Sequence, residues 1–143
     1  MPEKPNYHDA DIVLRLYEMR REAKTREARD LLNFKFWPKS YDDIKEVQKP
    51  DNPMNFAWRQ LNGYWEMVFG MARNGIVNPD YLTENNGEGI FFFAKIAPYI
   101  DEIRKAGSPN TCANVEWATK ECEKGRQLFS YISEAVKKQT ESM

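Results

Sequence analysis

Apolar residues recur every three or four positions along most of the chain, which is the spacing of one face of an α-helix. The first such segment is predicted to begin near Asp9 or Asp11, because a carboxylate is favourable at a helix N-terminus. Its apolar stripe, which we expect to face the core, consists of Ile12, Val13, Leu16, Tyr17, Met19 and Ala23.

For residues 9–37, the apolar pattern predicts either two helices or one long bent helix. Thr25 favours two helices, because its hydroxyl could cap a following helix that has Glu27 in its first turn. That second helix would continue through Phe36 and stop at Pro38. The periodicity is compatible with both alternatives.

A short helix and a rigid connector are predicted next. Residues 40–43, beginning with Ser40, resemble a capping box, so a short helix should start here and run through Val47. The following stretch, 49–53, contains two prolines, neither of which suits a helix interior.

The segment from Asn55 to Asn74 is predicted to be the central helix. Its apolar arc is wide, which implies burial on several sides. Gly75 fits the left-handed residue that commonly follows a helix. The arc is made of Trp58, Leu61, Tyr64, Trp65, Val68, Phe69, Met71 and Ala72.

Two longer helical patterns follow. Pro98 is expected to kink or restart the first of them. The last helix is predicted to open at Ser108–Pro109 or at Asn114 and to run as one element, although Gly125 interrupts its apolar seam. These two patterns are carried by Phe92, Ile96, Tyr99, Ile100 and Ile103, and by Val115, Ala118, Cys122, Phe129, Ile132 and Val136.

Together these elements predict an all-α fold, a single-domain helical bundle of five to seven helices across residues 1–143. No segment is predicted to form a β-strand. Short loops favour a mostly antiparallel arrangement. Residues 1–8 and 139–143 are expected to be frayed.

Composition narrows the classes of function. Hydrophobic residues make up 41% of the chain and aromatic residues 13%, so a packed core is expected. Lys and Arg (21) nearly balance Asp and Glu (22), giving a net charge of −1. Proteins that bind nucleic acid usually carry excess cations, so no nucleic-acid partner is expected. The basic cluster from Arg20 to Arg29 is interleaved with acids and is interpreted as a solvated face.

The location is expected to be cytoplasmic. No stretch approaches the roughly 20 apolar residues that span a bilayer, and the most apolar run, Ile90–Ala94, ends at Lys95. The first eight residues hold no apolar run of the kind found in a secretion signal. Two cysteines, Cys112 and Cys122, are too few for a disulfide framework.

Catalytic and metal-binding motifs are scarce. His8 is the single histidine, so a histidine-based nucleophile or metal site would have to use it. Cys112 and Cys122 lack the paired spacing of a zinc site. Cys112 could instead lie where a helix dipole lowers its thiol pKa, whereas Cys122 fits the core. We therefore assign no catalytic residue, metal or cofactor, and an enzyme ranks third among the function classes.

A line of polar residues on the central helix is the candidate ligand site. Arg59, Glu66 and Arg73 are seven residues apart and share a helical face, with Asn62 one turn from Glu66. On so apolar a helix this line is either a solvated edge or a structural pairing of charges, which is favoured, or a buried network. In the buried network Glu66 would be held between Arg59 and Arg73 and could orient a ligand or carry a proton. The candidate ligand-binding residues are Arg59, Asn62, Trp65, Glu66 and Arg73.

Aromatic residues exceed what one helical stripe can bury. Either they form an unusually bulky core, or some remain at the surface, in a groove or at an interface. The favoured function is therefore protein–protein interaction or self-association into a homo-oligomer. The alternative is a small-molecule pocket around Trp58, Trp65 and Glu66.

Four segments carry a family resemblance: Leu16–Arg21, Arg26–Arg29, Phe36–Pro38 and Asn62–Gly75. They resemble a family of short, uncharacterised bacterial helical proteins known as a domain of unknown function. The resemblance covers roughly the first hundred residues. It implies an all-helical fold and a bacterial or phage setting, and it brings no functional residues because the family has no assigned activity.

Overall fold

The computed structural model describes residues 3–143, and every regular element in this range is helical. The predicted all-α bundle is confirmed, while the number of α-helices exceeds the predicted five to seven. The helices are α1 (Tyr7–Arg20), α2 (Ala23–Phe34), α3 (Tyr41–Gln48), α4 (Asn55–Arg73), α5 (Pro79–Glu84), α6 (Gly87–Ile96), α7 (Ile100–Ala106), α8 (Ala113–Glu121) and α9 (Glu123–Glu141), with a 3₁₀ turn at Ala97–Tyr99.

The segment 9–37 forms two helices. The break lies between Arg20 and Ala23, and the cap of α2 is Glu22 rather than Thr25. The Glu22 carboxylate accepts a hydrogen bond from the Thr25 backbone N–H at 3.0 Å. A carboxylate at this end also suits the positive pole of the helix dipole.

The last predicted helix is wrong as a single element, because the chain breaks at Cys122. That residue has extended backbone angles and separates α8 from α9. Gly125 lies against the end of α8, where a Cβ would stand 1.8 Å from the Ala118 carbonyl oxygen. The two helices therefore cross at a contact that only glycine permits.

Helix α4 forms the centre of the core, as predicted. It packs most extensively against α2 and α8. Its Trp65 side chain is 1% exposed. Pro98 restarts the chain, since the 3₁₀ turn that contains it leads directly into α7.

Part of the basic cluster is buried rather than solvated. Arg20 is 8% exposed, donates a hydrogen bond to Asn86 and lies over the Tyr17 and Trp65 rings. Neighbouring Arg29 forms a bidentate ion pair with the Glu88 carboxylate at 2.8 and 3.2 Å. These guanidinium groups join α1 and α2 to α6.

Helical structure extends close to both ends of the described chain. Asn6 caps α1 with its side chain, and α9 continues to Glu141. Between residues 3 and 143, no helix combines the length and the apolar character needed to cross a membrane.

Candidate functional site

Helix α1 carries two apolar faces, of which one is buried and one is open. The buried face includes Val13 and Leu16. The open face, which we call the α1 outer stripe, consists of Tyr7, Ala10, Leu14 and Tyr17. Within it, Tyr7 is 94%, Leu14 61% and Tyr17 49% exposed. Alternating spacings of three and four residues are typical of a seam that packs against another helix.

The predicted core-facing stripe is confirmed at Val13 and Leu16, which are buried. It is wrong at Tyr17 and Met19, which are about half exposed, and at Ala23, which is exposed at the start of α2. Buried polar side chains, Asp9 and Arg20, occupy part of the inward face instead. A second apolar register at positions 7, 10, 14 and 17 was present in the sequence and would have indicated the outer stripe.

Charges of alternating sign line one edge of the α1 outer stripe. In chain order they are Asp11, Arg15, Glu18 and Arg21, and all four are exposed. Arg15 pairs with Asp11 at 3.1 Å, and the Arg21 guanidinium lies over the Tyr17 ring at 5.7 Å. The α1 outer stripe is therefore bordered by side chains whose charges alternate between negative and positive.

The second candidate site, the α4 groove, consists of two adjoining depressions of about 460 and 450 Å³. It runs along α4 between the end of α3 and the loop that follows α7. Its shared lining residues are Gln48, Trp58, Arg59, Ile103 and Gly107.

Three of the five predicted ligand-binding residues meet in the α4 groove. Arg59, Asn62 and Glu66 line it. Trp65 faces away into the core, and Arg73 lies in a different depression, where it donates to the Asn114 side chain at 3.3 Å. The aromatic member of the groove is Trp58, which is 7% exposed.

Glu66 caps a helix instead of pairing with arginines. Its carboxylate accepts hydrogen bonds from the backbone N–H groups of Asn114 at 3.0 Å and Val115 at 3.1 Å, in the first turn of α8. The ion pairs formed within residues 3–143 include neither Arg59 nor Arg73. The polar line on α4 is therefore not an ionic network, and the Arg59 guanidinium is free to meet a ligand.

Cys112 lies at the N-cap of α8 in a left-handed conformation, with φ at 59°. Its thiol lies 3.6 Å from the Asn62 carbonyl oxygen, to which it donates. Burial raises the pKa of the Cys112 thiol to about 12, the reverse of the lowering that a helix dipole alone would give. The thiol is protonated at neutral pH and poorly nucleophilic.

A third cavity, the α9 groove, has a volume of about 820 Å³ and lies between α9 and the segment from α6 to the 3₁₀ turn. It is lined in part by Lys95, which is 3% exposed. The Lys95 ammonium donates to the carbonyls of Leu32 at 2.7 Å and Asn33 at 3.1 Å. It also lies over the Trp37 and Phe91 rings, at 3.8 and 4.4 Å.

The sequence analysis did not predict that Lys95 is buried beside a cavity, and used it only as the end of an apolar run. The available signal was its position between Ile90–Ala94, the most apolar run of the chain, and Ile96. Burial lowers its pKa to about 7. Within residues 3–143, no group of three or more His, Cys, Asp and Glu side chains is arranged to hold a metal ion.

A family model described as Domain of unknown function (DUF4760) matches residues 7–122, and this chain belongs to that family. The predicted relationship to a domain of unknown function is thus confirmed, over a longer stretch than the first hundred residues. No curated protein and no solved structure matches the chain.

Proposed function

We propose that this protein works by non-covalent association, and that the α1 outer stripe joins two copies of the chain. The observation that carries the proposal is the exposure of Tyr7, Leu14 and Tyr17 along one face of a capped helix. Water-exposed apolar side chains in a continuous row are unfavourable unless a partner covers them.

A second copy suits the stripe because its charged edge is complementary to itself. If two α1 helices pack antiparallel with the symmetry axis near residue 16, Asp11 faces Arg21 of the second copy. Arg15 then faces Glu18 of the second copy. The same register brings Leu14 against Tyr17 of the second copy. Each acid meets a base, as expected of a two-fold symmetric interface.

The modest size of the α1 outer stripe indicates a reversible dimer. Stable interfaces bury roughly 800 Å² on each partner. Three exposed apolar side chains on one helix provide less than this, so the dimer should dissociate on dilution. Light scattering coupled to size-exclusion chromatography at several loading concentrations measures this directly.

Leu14→Asp tests the proposal, since it places a charge in the centre of the stripe. We expect a concentration-dependent dimer for the native chain, a monomer for Leu14→Asp, and no change for the control Tyr131→Asp on α9, where Tyr131 is 76% exposed. A native chain that stays monomeric at all concentrations, or a Leu14→Asp variant that dimerises normally, would contradict the proposal.

A second candidate function, small-molecule binding, is favoured by the free Arg59 guanidinium beside Trp58 in the α4 groove. Gly63 offers a clean test because it lines the groove and a Cβ there would meet no atom within 4 Å. Gly63→Leu should fill the groove while leaving the fold intact. Native mass spectrometry should then show a retained small molecule on the native chain and on Gly63→Ala, but not on Gly63→Leu.

The wider setting follows the sequence expectations. The protein is proposed to be a non-enzymatic binding module of the bacterial cytoplasm, without a nucleic-acid partner. The near-neutral net charge of −1 supports the last point. The two cysteines are both free and buried, as suits a reducing compartment.

A further inference from the structure

The α9 groove has the size and lining of a site for an amphipathic ligand. A volume of about 820 Å³ lies within the range of small-molecule pockets. Its apolar lining consists of Pro38, Ala94, Ala97, Pro98, Tyr99, Phe129 and Val136. Neither of the functions proposed above uses this cavity.

Lys95 lines the groove, and its ammonium has no ion-pair partner among residues 3–143. An ammonium group has three N–H donors, and two of them are taken by the Leu32 and Asn33 carbonyls. A buried charge without a counter-ion is costly, so an anion that reached Lys95 would be strongly favoured.

A second polar group in the same groove also lacks a partner. The Ser133 hydroxyl oxygen is buried, and no atom of the described chain forms a hydrogen bond with it. Ser133 lines the groove from α9, whereas Lys95 lines it from α6. The two residues therefore line the same cavity from two helices, and each has a buried polar group with hydrogen-bonding capacity left over.

The remaining charges on the groove leave a small cationic excess. Lys39 and Lys137 lie on it, and so do Glu134 and Glu141. These four cancel formally, which leaves the protonated form of Lys95 as the net charge. A ligand with one negative charge and an apolar body matches this balance better than a neutral or cationic one.

We propose that the α9 groove binds an amphipathic monocarboxylic acid. Its hydrocarbon part lies on the apolar lining, and its carboxylate accepts hydrogen bonds from Lys95 and Ser133. The carboxylate supplies the counter-ion that the buried ammonium lacks.

Isothermal titration calorimetry of the full chain tests this with three ligands of equal chain length. Octanoate is the acid, octanol the neutral control and octyltrimethylammonium the cationic control, each below its micelle concentration. We expect octanoate to bind about tenfold more tightly than octanol, the size of a charge-assisted hydrogen bond. The cation should bind most weakly.

Variants separate the charge from the cavity. Lys95→Met should bind octanoate and octanol with similar affinity, because the apolar lining remains. Ala97→Trp should weaken both ligands, because it fills the groove. Lys95 also caps α2, so Ser133→Ala provides an independent test if Lys95→Met fails to fold. It should reduce octanoate affinity several-fold and leave octanol binding unchanged.

The proposal is overturned if octanol binds the native chain as tightly as octanoate, or if no heat of binding appears up to about 1 mM ligand. It is also overturned if Ala97→Trp binds octanoate like the native chain, which would place the ligand elsewhere. If both Lys95→Met and Ser133→Ala still bind octanoate more tightly than octanol, Lys95 and Ser133 are not the donors to the carboxylate, and the proposal is overturned.

Discussion

Lys95 is a charged residue that the fold buries, since its side chain is only 3% exposed. Its aliphatic stem belongs to an apolar helix, and its ammonium reaches the final carbonyls of α2. Cations stabilise the negative end of a helix dipole, and aromatic faces attract them. Burial works in the other direction and lowers the pKa of the Lys95 ammonium to about 7.

This lowered pKa predicts a pH-dependent stability that Lys95→Met should abolish. In the unfolded chain the lysine stays protonated up to its ordinary pKa of 10.5, whereas in the folded chain it loses its proton near pH 7. Between these values the unfolded state binds more protons, so the contribution of Lys95 to stability rises with pH.

Urea unfolding at pH 6, 7.5 and 9 measures the effect. The free energy of unfolding of the native chain, relative to that of Lys95→Met, should increase from pH 6 to pH 9. A constant difference would show that the two carbonyls and two aromatic rings hold the ammonium charged throughout this range.

Two glycines within helices, Gly125 and Gly63, differ in the space around them. Gly125 lies where α9 touches the backbone of α8, and a Cβ would stand 1.8 Å from the Ala118 carbonyl oxygen. Gly63 lies within α4 with open space around it. The same substitution should therefore have opposite effects at the two positions.

Gly125→Ala should destabilise the fold by about 2 kcal/mol or more, because backbone atoms must move to admit the methyl group. Gly63→Ala should stabilise it by about 0.5–1 kcal/mol, the helix-propensity gain of alanine over glycine. Chemical denaturation of both variants gives the comparison. Equal effects would mean that the close crossing of α8 and α9 does not constrain residue 125.

Sequence periodicity predicts the existence of the helices well and their breaks poorly. The central helix and the restart after Pro98 follow from local rules, since proline and helical stripes act within a few residues. The break at Cys122 does not, because that residue fits the apolar seam of a continuous helix. The break brings Gly125 against the end of α8, and apolar periodicity does not register such a contact between two helices.

For the predicted ligand residues too, local helix geometry determines which side chains share a face of α4. Arg59, Asn62 and Glu66 lie at helical spacings of three and four, so one face of α4 was certain to carry them together. Trp65 is adjacent to Glu66 in sequence and therefore points about 100° away around the helix. Arg73 is two turns beyond Glu66, roughly 10 Å along the axis, and reaches a different depression.

At the scale of the whole molecule, the open face of α1 is the feature most in need of a partner. The remaining large apolar side chains of α4 and α6 are mostly buried in a common core. Self-association through α1 would bury the exposed apolar side chains of the α1 outer stripe. It would also use the alternating charges from Asp11 to Arg21, which lie along the edge of the α1 outer stripe.

The most direct test of this central claim is sedimentation velocity on a pair of charge-reversal variants, measured separately and then mixed. Arg15→Glu and Glu18→Arg should each weaken the dimer about tenfold, because like charges then face each other twice across the symmetry axis. Mixed in equal amounts, the two variants should form a heterodimer near the native affinity, since every opposed pair is again of unlike charge. A mixture that sediments as the sum of the two separate variants would contradict antiparallel pairing through α1.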